Sequence, residues 1–384
     1  MGKIDELIEE LCPEGVTTLD LGSLCRIETG RRDANEASPD GEFLFFTTAR
    51  ETSRIDSYRW DCEALLIAGN ANVGNVKHFV GKFDAYQRTY VLSDFPQGLE
   101  AKYLFYSLQN NLNYYLDSNK NVAAMTYIVL GTLKAFQVPI PPLEAQKEIV
   151  SILDKFTQLE AELEAELEAR RIQYEVTRDR LLDFSDILQS HPVGEMIREL
   201  CPEGVSFAQL RTVASIGTGS SDKKDSDTDG PYPFFVRSKQ VYRSQTFEFE
   251  ETAILIPGEG GIGEIFHFHQ GPYALHQRAY RVAPNAEQLE PKFLFYFMIA
   301  NFKQHILARA VSATVTSIRK PMIESFPVAL PPLEIQREIV SILDKLDTLV
   351  NDITIGLPAE ISARRKQYEH YRNKLLTFKE LEAA

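Results

Sequence analysis

The feature that most constrains this chain is an internal repeat with a period of about 190 residues. Cys12-Pro-Glu-Gly-Val16 returns as Cys201-Pro-Glu-Gly-Val205, and the 16 residues from Pro141 to Phe156 return from Pro331 to Leu346 with three changes. A solenoid is excluded because solenoid repeats span about 20 to 50 residues. The chain therefore contains two copies of one unit, in which a domain of about 125 residues is followed by a helix.

The two halves of the repeat have diverged to different extents. The helical segments are almost identical, whereas the preceding domains share only short echoes, such as Gln87-Arg-Thr-Tyr90 with Gln277-Arg-Ala-Tyr280. This division predicts a shared structural part and two separately specialised domains. A duplication without any functional division remains an alternative.

Two proline pairs mark the start of the long helices, because proline is tolerated in the first turn of a helix and not in its interior. In each helix apolar residues then follow at alternating intervals of three and four, which is the heptad pattern of a coiled coil. This pattern predicts that the following residues pack the helices against each other or against a subunit: Ile149, Ile152, Phe156, Leu159, Leu163, Ile339, Ile342, Leu346, Leu349 and Ile353.

The first helix is expected from about residue 144 to residue 184, a length of roughly 60 Å at about 1.5 Å per residue. Gly356-Leu-Pro358 is expected to kink or break the second helix. A pair of such helices would act as a rigid spacer between the two domains. The alternative is a pair of ordinary amphipathic helices packed on one globular core.

These patterns divide the chain into six segments. They are an N-terminal segment (1–16), a first variable domain (17–140), a first repeated helix (141–190), a linker that repeats the N-terminal segment (191–205), a second variable domain (206–330) and a second repeated helix (331–384).

Within each domain, short β-rich runs alternate with turn residues. Strands are expected at 64–68, 76–80, 253–257 and 264–268, and amphipathic helices at 103–116 and 293–307. We therefore predict an α+β protein with a pseudo-twofold internal repeat. Its two mixed α/β domains have twisted, mainly antiparallel sheets, and two long coiled-coil helices separate them.

The net charge of −14 does not exclude a nucleic-acid partner, because the acidic excess is local. Residues 17–140 carry a net charge of −2 and residues 206–330 a net charge of +1, while helical segments such as 159–168 are rich in glutamate. No apolar N-terminal stretch or membrane span is evident, and the four cysteines have no metal-ligand spacing. We expect a cytoplasmic protein with reduced thiols and no metal.

The sequence offers little support for catalysis. Gly258-Glu-Gly-Gly-Ile-Gly263 matches the dinucleotide-binding pattern, but a strand pattern follows where that site needs a helix, so we expect a hairpin turn. The carboxylate and lysine cluster of a nuclease, the Asn/Asp-Pro-Pro-aromatic loop of a methyltransferase and a nucleophile–histidine arrangement are not evident. We predict no catalytic residue.

The polar residues of the predicted loops are better suited to contacts in the grooves of DNA than to catalysis. Arginine and lysine pair with guanine edges or phosphate, and asparagine pairs with adenine. The DNA-binding candidates are Arg31, Arg32, Asn70, Asn72, Asn75, Lys77, Lys120 and Asn121 in the first domain, and Lys223, Lys224, Arg237, Lys239, Arg243, Arg319 and Lys320 in the second. For each of these residues, plain solvation is the alternative role.

Over its whole length, the chain resembles the specificity subunit of type I restriction–modification systems. The resemblance rests on Pro141-Pro-Leu-Glu144 with Gln146 and Ile149, on their counterparts Pro331-Pro-Leu-Glu334, Gln336 and Ile339, and on the Cys-Pro-Glu-Gly-Val segment before each domain. It implies that each domain is a target-recognition domain that reads one half of a split, asymmetric double-stranded DNA target. It also implies that the two long helices are antiparallel, set the gap between the halves and dock two methyltransferase subunits.

The same resemblance implies a division of labour among subunits. S-adenosylmethionine would bind to the methyltransferase subunits, and ATP and Mg²⁺ to motor-nuclease restriction subunits. This chain would hold no cofactor and would not act as an enzyme by itself. A scaffold whose two domains bind proteins or small ligands remains the alternative, and a self-sufficient enzyme is a third.

Overall fold

The computed structural model describes residues 8–119, 127–184, 192–309, 317–352 and 355–381. The chain divides into two compact units, one formed by Met1–Glu164 with Glu360–Ala384 and the other by Ala165–Ala359. Over these described ranges, each unit contains one six-stranded sheet and one two-stranded sheet. Within the described residues, no helix has the length and apolar composition to cross a membrane.

The elements of the first repeat alternate strands with short helices before one long helix. The strands are β1 (Thr17–Asp20), β2 (Arg26–Thr29), β3 (Phe43–Phe46), β4 (Ser53–Ile55), β5 (Trp60–Ala68), β6 (Val76–Ala85), β7 (Thr89–Ser93) and β8 (Gln137–Ile140). The helices are α1 (Leu21–Leu24), α2 (Ala101–Ser118), α3 (Leu130–Lys134) and α4 (Leu143–Leu181).

The second repeat has the same order of elements, preceded by α5 (Pro192–Leu200). Its strands are β9 (Phe207–Gln209), β10 (Ala214–Thr218), β11 (Tyr232–Phe235), β12 (Tyr242–Ser244), β13 (Phe249–Pro257), β14 (His267–Leu275), β15 (Ala279–Pro284) and β16 (Pro327–Ala329). Its helices are α6 (Leu210–Val213), α7 (Pro291–Leu307), α8 (Lys320–Glu324), α9 (Leu333–Asn351) and α10 (Gly356–Leu375).

The six-stranded sheets have equivalent topologies. The strand order is β2-β7-β5-β6-β3-β4 in the first unit and β10-β15-β13-β14-β11-β12 in the second. All neighbouring strands are antiparallel except β3 with β6 and β11 with β14, which are parallel. The prediction of mixed domains with mainly antiparallel sheets is confirmed.

The central strand of each sheet is covered on both faces, which explains its continuous apolar sequence. Because side chains alternate along a strand, Leu65 and Ile67 of β5 join the cluster beneath helix α2, whereas Ala64 and Leu66 join Trp60 and Phe83 on the opposite face. In β13 the same alternation places Ile254 and Ile256 with helix α7, and Ala253 and Leu255 on the opposite face.

The helix under each sheet is attached to the long helix that follows it in sequence. In the first unit the carboxylate of Asp154 on α4 accepts hydrogen bonds from Lys102 and Tyr106 on α2, both at 2.7 Å. In the second unit Asp344 on α9 accepts them from Lys292 and Tyr296 on α7, at 2.7 to 2.8 Å for lysine and 2.7 Å for tyrosine. The two repeats therefore share this attachment.

Two distant parts of the sequence also meet within the first unit. Phe156 on α4 contacts the rings of Tyr368 and Tyr371 on α10, with centroid distances of 6.2 and 5.6 Å. Further along α4, Glu160 and Glu164 both pair with Arg365. Because contacts later in α4 fall earlier in α10, these two segments run antiparallel.

Most predicted elements match the structure, and one boundary is wrong. The expected helices at 103–116 and 293–307 are found as α2 and α7, and the second long helix is interrupted before Gly356, as expected. The predicted strand at 264–268 begins only at His267. Hydrogen bonds from the backbone N–H groups of Glu264 and Ile265 to the carbonyl of Gly261 extend the preceding turn into this segment.

Candidate nucleic-acid interface

A backbone junction beyond the end of strand β5 brings three loops of the first domain together. The Gly69 N–H donates to the Arg88 carbonyl at 2.8 Å, and the Gly69 carbonyl accepts from the Ile128 N–H at 2.7 Å. A Cβ atom on Gly69 would lie 2.5 Å from the Arg88 oxygen, so this close approach requires glycine. The hydroxyl of Tyr90 closes the junction by donating to the Ile128 carbonyl at 2.9 Å.

The second domain builds the same junction from equivalent residues. Gly258 donates to the Arg278 carbonyl at 2.9 Å and accepts from the Ile318 N–H at 2.9 Å, while the hydroxyl of Tyr280 donates to the Ile318 carbonyl at 3.4 Å. A bridge pairs Asn70 with Tyr127 in the first domain and Glu259 with Ser317 in the second. We call each set of three joined loops the loop junction of its domain.

Side chains of the first loop junction line an open pocket of about 590 Å³, which is formed by Asn70, Ala71, Arg88 and Tyr127. Tyr127 is half exposed, and Arg88 is exposed. The Oδ1 atom of Asn70 is buried and has no hydrogen-bond partner among the described residues. Ala71 has a φ of +54°, a left-handed conformation that costs a non-glycine residue about 1–2 kcal/mol.

In the second loop junction, the carboxylate of Glu259 occupies the position of the Asn70 amide. The carboxylate of Glu259 accepts hydrogen bonds from Arg237 at 2.8 Å and from Arg278 at 3.0 Å. The hydrogen bond from Arg278, the positive charges of both arginines and the hydrogen bond from Arg237 lower the pKa of Glu259. Glu259 therefore stays ionised at neutral pH and orients both guanidinium groups.

The structure gathers some of the DNA-binding candidates of the first domain near its loop junction. Asn70, Asn72 and Asn75 share one loop, and the Asn72 amide donates to the Thr48 carbonyl at 2.8 Å. Lys77 donates to the Ala49 carbonyl and to the Thr52 hydroxyl, both at 3.1 Å, and partial burial lowers its pKa.

The remaining candidates of the first domain are placed differently. Arg31 is exposed outside the junction. Arg32 is engaged within the domain, because it pairs with Glu36 at 2.9 Å and with Asp84 at 3.3 Å, and its hydrogen bond to Asp84 is the main cause of its raised pKa. Lys120 and Asn121 lie outside the described residues.

In the second domain, three candidates lie at or beside the loop junction. Arg237 pairs with Glu259, and the exposed Arg319 and Lys320 follow the bridge residue Ser317 closely in sequence. Lys320 also lies 3.7 Å from Glu324.

The other candidates of this domain are more dispersed. Lys223 and Lys224 are exposed in a short 3-10 turn, and Lys239 is exposed in a loop. Arg243 donates to the carbonyls of Gly230 at 2.8 Å and Pro231 at 2.9 Å. Arg54 makes the equivalent contacts in the first domain, so Arg243 has a structural role shared by both repeats.

The residues predicted to pack the long helices have several environments. Ile149 and Ile339 are fully buried in the cores of their units, Phe156 contacts α10, and Leu159 and Leu349 are both 45% exposed. Ile353 lies outside the described residues. The other predicted positions are half-buried; they are Ile152, Leu163, Ile342 and Leu346.

The family described as type I restriction modification DNA specificity domain matches residues 13–169 and 202–363. The chain belongs to this family. The two matched segments each contain one recognition domain and the start of the long helix that follows it. The family match thus reproduces the internal repeat.

Individual relatives agree with this assignment. The chain is 32% identical over 308 residues to the EcoR124I/EcoR124II specificity subunit of Escherichia coli, covering 68% of this chain and 72% of the relative. It is 29% identical to a putative type I restriction enzyme specificity subunit of Haemophilus influenzae, covering 84% and 85%.

Solved structures show the same fold at low sequence identity. A structure from work on complex assembly and conformational transition of the type I restriction–modification system has a TM-score of 0.63 at 16% identity, covering 95% of this chain and 98% of the other. The type I S subunit from M. genitalium has a TM-score of 0.58 at 16% identity, covering 94% and 96%.

Sequence reasoning missed several residues of the loop junctions, namely Arg88, Tyr127, Glu259 and Arg278. The sequence could have identified two of them. Arg88 and Arg278 occupy the same position in two similar segments, Gln87-Arg-Thr-Tyr90 and Gln277-Arg-Ala-Tyr280. Glu259 and Tyr127 differ between the repeats, and they reach the junctions through loop contacts that no local pattern specifies.

Proposed function

We propose that this specificity subunit reads a bipartite double-stranded DNA target, one half with each recognition domain. The observation that carries the proposal is the pair of loop junctions, in which the backbone hydrogen bonds are the same and the side chains differ. Two domains that share a backbone structure and differ in the side chains facing the DNA suit a target with two different halves. Base-edge contacts specify a sequence, whereas contacts to phosphate position the protein.

The long helices are the proposed docking elements for two methyltransferase subunits and the parts that fix the gap between the half-sites. Leu159 and Leu349 support this role, because each is nearly half exposed on a long helix. In this proposal the methyltransferase subunits bind S-adenosylmethionine, and motor-nuclease restriction subunits use ATP and Mg²⁺. The chain itself contributes recognition and no catalysis, and its cytoplasmic location stays a prediction from the sequence.

The proposal is tested on the complex of the full chain with the methyltransferase subunits of its own system. Adenine methylation is mapped at single-base resolution in cells that express this complex. We expect a split motif with a fixed gap. A short continuous motif, or no methylation despite a stable complex, would contradict the two-reader proposal.

A domain exchange then assigns each half of the motif. Residues 17–140 are replaced by the equivalent segment of a relative with a different target, within the full chain. We expect one half of the motif to change while the other half is retained. Replacement of residues 206–330 is the matched control and should change the opposite half. Affinity that depends on salt and not on sequence would count against the proposal.

A further inference from the structure

We infer that the side chain at one equivalent position, Asn70 in the first domain and Glu259 in the second, selects a base in each half of the target. This inference rests on the proposed function and adds residues to it. Asn70 would pair with adenine, to which an asparagine amide can both donate and accept. Glu259 would accept from the amino group of cytosine.

The first argument is that a constant backbone holds a variable side chain. In both loop junctions the glycine just before this position makes the same two backbone hydrogen bonds, and the residue itself bridges to a third loop. These contacts fix the Cα position of residues 70 and 259 within their own domains. The side chain can therefore differ between repeats without moving the loop, which is what a specificity-determining position requires.

The second argument concerns the unpaired amide of Asn70. Its Oδ1 atom is buried without a hydrogen-bond partner among the described residues, a state that folded proteins normally avoid. The terminal torsion of asparagine is soft, so the amide can rotate toward the open pocket without breaking any hydrogen bond of Oδ1. A base edge in the pocket would satisfy both the oxygen and the nitrogen of this amide.

The third argument is the balance of charge around the two positions. Arg88 lies at the first junction, and its equivalent Arg278 lies at the second. The second junction also contains Arg237, which pairs with the negatively charged Glu259. Asn70 and Arg88 together carry a charge of +1 in the first junction, and Glu259, Arg237 and Arg278 together also carry +1 in the second. A carboxylate near DNA is repelled by phosphate, and the additional arginine offsets this repulsion.

The equivalent arginines have a different role from the residue they flank. Because Arg88 and Arg278 are shared by two domains that would read different sequences, they suit a contact common to all DNA. Phosphate is such a contact, and it positions the protein without selecting bases. Variants of Asn70 and Glu259 should therefore change the base preference, whereas variants of Arg88 and Arg278 should weaken binding to all sequences.

The test uses the full complex with its methyltransferase subunits, on duplexes that carry every base at each position of the wild-type motif. Asn70→Ala should reduce methylation of the preferred sequence about 10- to 100-fold and relax the preference at one position of one half-site. Asn70→Asp keeps the size of the side chain and should shift that position from adenine toward cytosine. Glu259→Gln should alter one position of the other half-site.

Two arginine variants provide the controls. Arg88→Ala should weaken DNA binding about equally for all sequences and reduce the slope of log affinity against log salt by about 1. Arg26→Ala removes another exposed arginine, which lies on strand β2 opposite Ser93, at the end of β7 that is farther from the junction. This variant should leave both the motif and the salt slope unchanged.

The outcomes separate this inference from the proposed function. If the wild-type complex yields no split motif, the proposed function fails and the inference fails with it. If the wild type yields a split motif and Asn70→Asp and Glu259→Gln leave every base preference unchanged, only the inference is overturned. Melting temperatures of the variant complexes within 2 to 3 °C of the wild type would confirm that altered preference does not reflect unfolding, since about 1 kcal/mol shifts the melting temperature by roughly 2–4 °C in domains of this size.

Discussion

At the scale of single residues, the most informative side chains are two buried glutamines that the repeat places at equivalent positions. Gln146 is fully buried; its oxygen accepts from the Glu100 N–H at 2.8 Å, and its nitrogen donates to the carbonyls of Gly98 at 3.0 Å and Pro141 at 2.8 Å. Gln336 makes the equivalent three contacts. Gln146 therefore connects the start of α4 to the loop before α2, and Gln336 connects the start of α9 to the loop before α7.

We expect Gln146→Ala to lower the free energy of unfolding by about 2–4 kcal/mol, because each buried backbone group left unpaired costs about 1–3 kcal/mol. Gln158→Ala is the matched control, since Gln158 is exposed on the same helix, and its effect should stay within about 0.5 kcal/mol. Denaturant unfolding of the full chain measures both. Equal midpoints for the two variants would show that the Gln146 contacts contribute no net stability.

The sequence predicted the importance of Gln146 and Gln336 but not their contacts. Both residues belong to the repeated motif on which the family resemblance rests. Their partners are backbone groups, including those of residues 46 and 48 positions away, and backbone groups leave no trace in a sequence pattern. The same reason explains why the loop junctions were only partly predicted: Asn70 and Arg237 were identified from residue type, whereas Glu259 was not.

At the scale of elements, the interruption between α9 and α10 distinguishes the second long helix from the first. Helix α9 ends at Asn351 and α10 begins at Gly356, whose φ is +68°. A Cβ atom at this position would lie 2.8 Å from the carbonyl oxygen of Leu349. The sequence predicted this break from Gly356 and Pro358, because glycine and proline act on the local backbone and need no distant partner.

We expect Gly356→Ala to destabilise the second unit by about 1–2 kcal/mol, the cost of a left-handed conformation for a residue with a side chain. Gly131→Ala is the control: Gly131 lies within helix α3, and an added Cβ would meet no atom within 4 Å. That variant should be neutral or more stable by up to about 1 kcal/mol. Thermal denaturation of both variants tests this contrast, and an unaffected Gly356→Ala protein would contradict it.

At the scale of the whole molecule, the first compact unit is built from two separate stretches of chain, whereas the second is continuous. The first unit joins the N-terminal 164 residues with the residues from Glu360 onward. Leu375 and Leu376, at the end of α10, lie in the same core cluster as Leu65 and Tyr103 of the first domain. Val16 also bridges to Glu380. The repeat in the sequence indicates two similar domains, but no local pattern indicates that the end of the chain completes the first of them.

This arrangement predicts a long-range effect of a substitution near the C-terminus. Leu375 is fully buried, so Leu375→Ala should cost about 2–5 kcal/mol through lost apolar contacts and a residual cavity. Leu381→Ala is the matched control, because Leu381 is 48% exposed. Amide hydrogen exchange of the full chain locates the loss of stability along the sequence.

If the first unit unfolds cooperatively, Leu375→Ala accelerates exchange in strands β5 and β7, although these strands lie more than 280 residues earlier in the sequence. The strands of the second sheet, β13 and β15, should keep their wild-type exchange rates, because Leu375 belongs to the core of the first unit. Faster exchange confined to residues 360–381 would instead mean that the C-terminal helix opens by itself. In that case the first domain would not depend on it for stability, and the two parts of the first unit would be separate cooperative elements.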